Sequence, residues 1–233
     1  MADVDEEEGR PVTRPIVTIG LLDNDEFALA FLSRAIKELM PEASVRFRTR
    51  SGREAVDRCL DSRTAPDVLL TDMSMEELSG LSVTRAIRVR SARVAVLAVT
   101  SFSLAVYAAK AAEAGAQGIV PKSVEAPIIE AIRALALGGT WNASMPSVVF
   151  ETSRAAHERL RREPMPRQFL LSDREAEAMN LCSRGLPTVA VAAQMGVGLP
   201  TAKTYIARAV RKLGCSSRGS AIALWTGAGE SER

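Results

Sequence analysis

The strongest constraint on this chain is an alternation that runs through its first 140 residues. Short, almost wholly apolar runs occupy 15–22, 68–70, 94–99 and 118–120, with a weaker one at 43–47. Runs this short and this apolar suit strands buried on both faces, since a strand with one wet face would alternate polar and apolar residues. Between them, residues 27–39, 52–60, 81–89, 104–114 and 126–137 set apolar side chains three and four apart, the period of an amphipathic helix. Gly115 and Gly138 follow two of these patterns, where helices end. Five successive strand–helix units predict an α/β domain built on a doubly wound, parallel, five-stranded sheet.

In such a sheet the polar residues that end the strands gather at the carboxyl edge, where ligands bind. The first strand ends in Asp23-Asn24-Asp25, the third in Asp72, the fourth in Thr100-Ser101, and the fifth is followed by Lys122. Each has a plain reading: Asp and Asn cap helices and make turns, and a lone lysine is usually solvated. Together they have a chemical logic. Asp72 can act as a nucleophile toward phosphorus. Asp23, Asn24 and Asp72, with Asp25 as an additional candidate, can hold Mg²⁺, a hard cation that takes few carboxylates and keeps its water. Lys122 and Thr100 can stabilise phosphoryl oxygens, and phosphoryl transfer needs mostly positioning and charge.

After residue 138 the alternation stops. Residues 139–169 read as a linker with one charged helix, and His157 within it reads as a solvated helix residue. From Leu171 the pattern is helical throughout. Ser172 with Glu175 three residues later forms a capping box, and that helix stops at Arg184-Gly185. A short helix from 188 to 195 and a Gly196-Val197-Gly198 turn lead to a helix opened by Pro200 and ended at Gly214. A last helix covers 218–225. Two helices joined by a short glycine turn, the second of them basic, form a helix-turn-helix pattern. On that second helix Ala202, Ile206, Ala209, Val210 and Leu213 share one face, and Lys203, Thr204, Ala207, Arg208 and Arg211 share the other. A helix with such a basic face can enter the major groove of DNA.

Charge supports two domains with different partners. Residues 1–140 hold 17 Lys and Arg against 20 Asp and Glu, and residues 141–233 hold 13 against 8. The single histidine excludes a His-rich metal site and argues against a Ser-His-Asp triad. Cys59, Cys182 and Cys215 are odd in number and widely spaced, which fits neither a disulfide framework nor a zinc site and suggests the reducing cytoplasm. No apolar run approaches the length of a membrane helix, and the acidic start of the chain is not a secretory signal.

The front half resembles the receiver domains of two-component response regulators, which have a flavodoxin-like fold. The resemblance rests on Leu21-Leu22-Asp23-Asn24-Asp25, on Pro66-Asp67-Val68-Leu69-Leu70-Thr71-Asp72-Met73-Ser74-Met75, on Gly80, on Val99-Thr100-Ser101 and on the stretch from Ala114 to Pro121-Lys122. It implies that Asp72 accepts phosphate from a sensor histidine kinase, that Mg²⁺ is required, and that the main-chain carbonyl of Ser74 is a further metal ligand. Three positions depart from the family pattern. Asn24 replaces the second acid of the usual pair, Glu76 stands for the usual proline, and Ile119 occupies the aromatic switch position. The back half is similar to LuxR-type helix-turn-helix domains through Leu171-Ser172-Asp173-Arg174-Glu175, Val191-Ala192-Ala193-Gln194-Met195-Gly196-Val197, Thr201-Ala202-Lys203-Thr204-Tyr205-Ile206 and Lys212-Leu213-Gly214. By that resemblance Lys203, Thr204 and Ala207 face bases, and Arg208 and Arg211 contact phosphates.

The expected organisation is an acidic disordered tail at 1–14, a receiver at 15–138, the linker at 139–169, a small all-α helix-turn-helix domain at 170–227 and a short tail at 228–233. The expected function is a response regulator, not an enzyme beyond slow autodephosphorylation. Phosphorylation would control dimerisation, with 221–225 as a dimer surface, and binding to double-stranded DNA, with no membrane partner. One alternative is a DNA-binding regulator whose receiver is only an interaction module; another is a phosphatase-like hydrolase using Asp72.

Overall fold

The computed structural model describes residues 17–226 apart from Ser74, Glu76, Glu77 and Met165. The two tails expected at 1–14 and 228–233 lie outside the described residues, as does Ser74.

Five parallel strands form one sheet in the order β2-β1-β3-β4-β5. They are β1 (Val17–Leu22), β2 (Ala43–Thr49), β3 (Val68–Asp72), β4 (Ala95–Thr100) and β5 (Gly118–Pro121). Every residue of the central strands β3 and β4 is buried, which is why those runs are continuously apolar. The connecting helices are α1 (Glu26–Leu39), α2 (Gly52–Leu60), α3 (Gly80–Arg88), α4 (Leu104–Ala114) and α5 (Glu125–Ala136). Helices α1 and α5 cover one face, packing Leu29, Leu32, Ile36, Ile128 and Ile132 on Ile19, Leu70 and Leu97. Helices α2 and α3 cover the other face through Ala55, Val56, Val83 and Ile87, and α4 joins them through Ala108 and Ala111. Short polar residues start the helices as N-caps: Asp25 accepts from the Phe27 amide, Ser51 from Glu54 and Ser79 from Ser82.

The weakly patterned strand, β2, has a physical reason for its weakness. Its register against β1 slips between Ile19 and Gly20, so Arg46 is bulged out of the ladder. The slip turns Phe47 toward α2, where its ring fills the space a Gly20 side chain would need. Simple alternation is therefore lost at 45–47.

The stretch expected to be a linker packs on the sheet domain. Trp141 bridges to Gly118, and Phe150 is buried against the group that holds Ile119. Helix α6 (Ser153–Leu160) lies on α3 with Ala156 and Leu160 buried. His157 is not solvated as expected; it is half-buried, with Nδ1 2.6 Å from the Arg88 carbonyl. Since a carbonyl only accepts, Nδ1 carries the proton and donates.

A 3-10 turn (Arg167–Leu170) leads into four helices, α7 (Asp173–Ser183), α8 (Thr188–Gln194), α9 (Leu199–Lys212) and α10 (Arg218–Trp225). Gly185, Gly196 and Gly214 follow helix ends with φ of 80°, 64° and 69°, the left-handed region where glycine is favoured. The helical domain rests on the sheet domain. Arg53 at the start of α2 donates to the Leu171 carbonyl at 2.7 Å, and the apolar cluster around Leu78 and Val83 continues into Met179, Leu213, Ala221 and Trp225. Ala221 and Trp225, expected at a dimer surface, are buried, and Trp225 Nε1 donates to Asn180 at 2.6 Å. Among the described residues, no helix is long and apolar enough to cross a membrane.

Candidate functional site

The carboxyl edge of the sheet brings Asp23, Asp72, Thr100 and Lys122 together. Asp23 follows β1, Asp72 and Thr100 end β3 and β4, and Lys122 follows β5. Asp23 and Asp72 are 1% and 4% exposed and Thr100 is fully buried. The Lys122 ammonium stands 2.7 Å from Asp23 Oδ2 and 3.4 Å from Asp72 Oδ1. Its backbone is fixed by a 2.8 Å bond from its N–H to the Thr100 carbonyl, so Pro121, which cannot donate, costs the ladder nothing at this edge strand. Among the described residues, two carboxylates thus share one ammonium. Asp23 Oδ2 is buried, and among the described residues its partner is the Lys122 ammonium.

The residues around the pocket divide by what they already hold. Asp23 Oδ1 accepts from the Asp25 amide at 3.0 Å, which orients the carboxylate. The Asp25 side chain caps α1 and is exposed. Asn24 is half-buried, and its carbonyl accepts from Arg50. The Thr100 hydroxyl accepts from the Phe102 amide at 3.1 Å and keeps its own proton available. Ile119 lies fully buried beneath the edge, packed with Met73, Ala108 and Phe150. Tyr107 takes part in the same packing, with its ring tilted against Phe102 at 6.3 Å. Among the described residues there is no cluster of three or more His, Cys, Asp or Glu side chains that could hold a metal.

Gly80 belongs to the site for a steric reason. A Cβ there would lie 2.1 Å from the Asp72 carbonyl, so only glycine lets α3 begin against the backbone of the acid strand.

The second candidate surface is α9. Ala202, Ile206, Ala209 and Leu213 are buried, while Lys203, Thr204, Ala207, Arg208 and Arg211 are all exposed, as their spacing predicts. The Thr204 hydroxyl donates back to the Pro200 carbonyl at 3.0 Å. The helix is held from behind by the capping box of α7. Glu175 accepts from the Ser172 amide and from Lys212 of α9, both at 2.7 Å. Burial pushes the Glu175 carboxyl up, but the Lys212 ammonium and the Ser172 N–H outweigh it and hold the group below the usual carboxylate range. Arg218 completes the support from α10, donating to the Leu186 carbonyl and to Thr188.

Residues 19–133 match the response regulator receiver domain family, and residues 170–225 match the luxR family of bacterial regulatory proteins. The chain is 30% identical over 200 residues to the nitrate/nitrite response regulator NarP of Escherichia coli, covering 82% of this chain and 86% of that one. It is 30% identical over 179 residues to the nitrate/nitrite response regulator homolog of Haemophilus influenzae, with 75% and 80% covered. A LuxR-family two-component response regulator from Aurantimonas sp. SI85-9A1 superposes with a TM-score of 0.51 at 27% identity, over 56% of this chain and 93% of that one. This chain is a LuxR-type response regulator. Its relatives are two-component regulators of transcription, and it carries both halves of that design, a receiver and a LuxR-type DNA-binding domain.

Sequence reasoning missed a second polar centre at the opposite, amino edge of the receiver. Arg88 is fully buried, and all five of its N–H groups find neutral oxygens: the carbonyls of Gly115, Ser91, Ser153 and Val94, and Oε1 of Gln117. Gln117 in turn accepts from the Val96 amide and donates to the Gly115 and Glu151 carbonyls. Burial pulls the Arg88 guanidinium down to about 10. Beside it, burial pushes the Cys59 thiol up to about 12, which makes it unreactive. The one signal in the chain was Gln117, an amide in an otherwise apolar run.

Proposed function

We propose that phosphorylation of Asp72 switches this response regulator, and that the phosphorylated form binds double-stranded DNA as a homodimer through α9. The observation that carries the reading is Lys122 set between Asp23 and Asp72. A carboxylate oxygen of Asp72 attacks the phosphorus of a phosphohistidine on a sensor kinase; the P–O bond forms as the P–N bond breaks. Lys122 and the Thr100 hydroxyl then meet the phosphoryl oxygens. The donor set suits Mg²⁺: two buried carboxylates, with the Asn24 amide and the Ser74 carbonyl as neutral candidates. When bound, the ion supplies the positive charge that two carboxylates and one ammonium lack. Release of the phosphate by water at the same pocket would be slow autodephosphorylation.

Under this reading the domain limits are 15–138 for the receiver and 170–227 for the DNA-binding part, and the protein works in the cytoplasm. Lys203, Thr204 and Ala207 face bases and Arg208 and Arg211 face phosphates. Trp225, which lines a gap with Arg53 and Leu78 of the receiver, gives the switch its resting contact. Leu78 lies at that contact, and Gly80, two residues on, touches the Asp72 backbone, so a change at the acid pocket reaches α10 over a short path.

The test is phosphorylation of the purified chain by a small phosphoryl donor with Mg²⁺, read by intact mass. One added phosphate is expected in the wild type, none in Asp72→Asn, and none with a chelator. A second reading is favoured by Ile119, which is buried where an aromatic switch would move. In it the receiver is an interaction module and DNA binding needs no phosphate. A gel shift separates the two, because equal affinity with and without phosphate would establish the second.

A further inference from the structure

We propose that the acidic N-terminal segment Asp3-Val4-Asp5-Glu6-Glu7-Glu8 of this chain docks in the basic groove between α1 and the open edge of β2. The groove is lined by Ser33, Ile36 and Lys37 of α1 and by residues 43–48 of β2, and encloses about 470 Å³. Three of its lining residues, Lys37, Arg46 and Arg48, are cations, and none is acidic. Lys37 and Arg48 are exposed and pair with no carboxylate among the described residues. Arg46 gives its guanidinium to the neutral carbonyls of Arg63 and Ala65, so its charge is also uncompensated. The nearest acid on the neighbouring turn, Glu42, is paired with Arg133.

Position and reach point to the chain's own segment. Among the described residues β2 is an outer strand with β1 as its one partner, and an open edge invites an added strand. The described chain starts at Val17, which sits beside Ala43, the first β2 residue of the groove. Glu8 is nine residues upstream of Val17, a span of up to about 30 Å, and the groove follows six strand residues, about 20 Å. The five carboxylates at 3–8 have no cation among them. Exposed ion pairs are individually weak, but a tether this short gives the segment a high effective concentration at the groove.

The plainer role of edge arginines is to keep a second sheet from pairing with β2. That role has no dependence on residues 3–8, and this is what separates the two. The experiment is amide hydrogen exchange over residues 43–50 of the full chain, wild type against a variant with Asp3 and Asp5 changed to Asn and Glu6, Glu7 and Glu8 changed to Gln. Exchange about tenfold faster in the variant, with the difference abolished by high salt, is expected. The Lys37→Glu, Arg48→Glu double variant should show the same fast exchange, and converting residues 3 and 5–8 to lysine in that background should restore protection. Equal exchange in wild type and tail variant overturns the proposal. Protection of 43–50 that appears only when duplex DNA is added also overturns it, and assigns the patch to phosphates.

Discussion

The two edges of the receiver sheet each hold a cation and use it in opposite ways. At the amino edge Arg88 meets five neutral oxygens, and every donor is matched. At the carboxyl edge Lys122 meets two carboxylates, Asp23 and Asp72. The first arrangement is complete, so it can only hold parts together: α3, the starts of β4 and β5, and the stretch from 151 to 157. The second sets two carboxylates against one ammonium among the described residues, and under the proposed function it takes up added positive charge or a phosphoryl group. A buried polar network that is fully satisfied holds structure in place, and one left unbalanced at a strand edge is a candidate for chemistry.

Breaking the complete edge should have the larger effect. Arg88→Met keeps most of the volume but leaves the Val94, Ser91 and Ser153 carbonyls without their donor, and buried unsatisfied groups are costly. The expected loss is about 3–5 kcal/mol in urea unfolding, with faster proteolysis near α6, which Arg88 anchors through Ser153 and His157. A loss under about 1 kcal/mol would mean the network is dispensable. At the other edge, Lys122→Met takes from Asp23 and Asp72 the ammonium they share. The expected cost is about 1–3 kcal/mol, reduced from a deep pair because solvent reaches this edge. Adding Asp72→Asn to Lys122→Met should recover most of it, since one negative charge is then removed. No recovery would show that repulsion between the carboxylates is not what the lysine relieves.

The same contrast explains what could be read from the chain alone. The carboxyl edge was legible because each of its residues directly follows an apolar run, so position along the sequence reports position in space. The buried and exposed faces of α9 followed from spacing, and the α7 cap from Ser172 and Glu175. The Arg88 centre was not legible, because its partners are backbone carbonyls as many as 65 residues away and any residue type supplies a carbonyl. Packing of 139–169 on the receiver was hidden in the same way. Its contacts are Trp141, Phe150 and Leu160, apolar residues scattered in a charged stretch without a period. The bulge at Arg46 concealed β2, and the Arg53 contact across the domains again ends on a carbonyl, that of Leu171.

Glu175 supplies the intermediate case and the smallest effect. It is a buried carboxylate with one ammonium, Lys212, and one backbone donor, Ser172, so its charge is balanced as at the amino edge but by an ion pair as at the carboxyl edge. Glu175→Gln keeps the shape and should cost the helical domain about 1 kcal/mol near neutral pH. The folded-state carboxyl is held below its ordinary value. Its contribution is therefore fully present above the unfolded-state pKa, about 4.3, and is lost as pH falls through the lowered folded value. The difference in stability between wild type and Glu175→Gln should then shrink toward zero in acid and be constant above about pH 5. Of the two tryptophans, Trp225 reports the helical domain, so urea unfolding followed by its fluorescence in a Trp141→Phe background reads the effect. If the difference instead grows in acid, Glu175 is destabilised by burial more than it is held by Lys212, and α9 owes its orientation to the apolar contacts of Ala202, Ala209 and Leu213 alone.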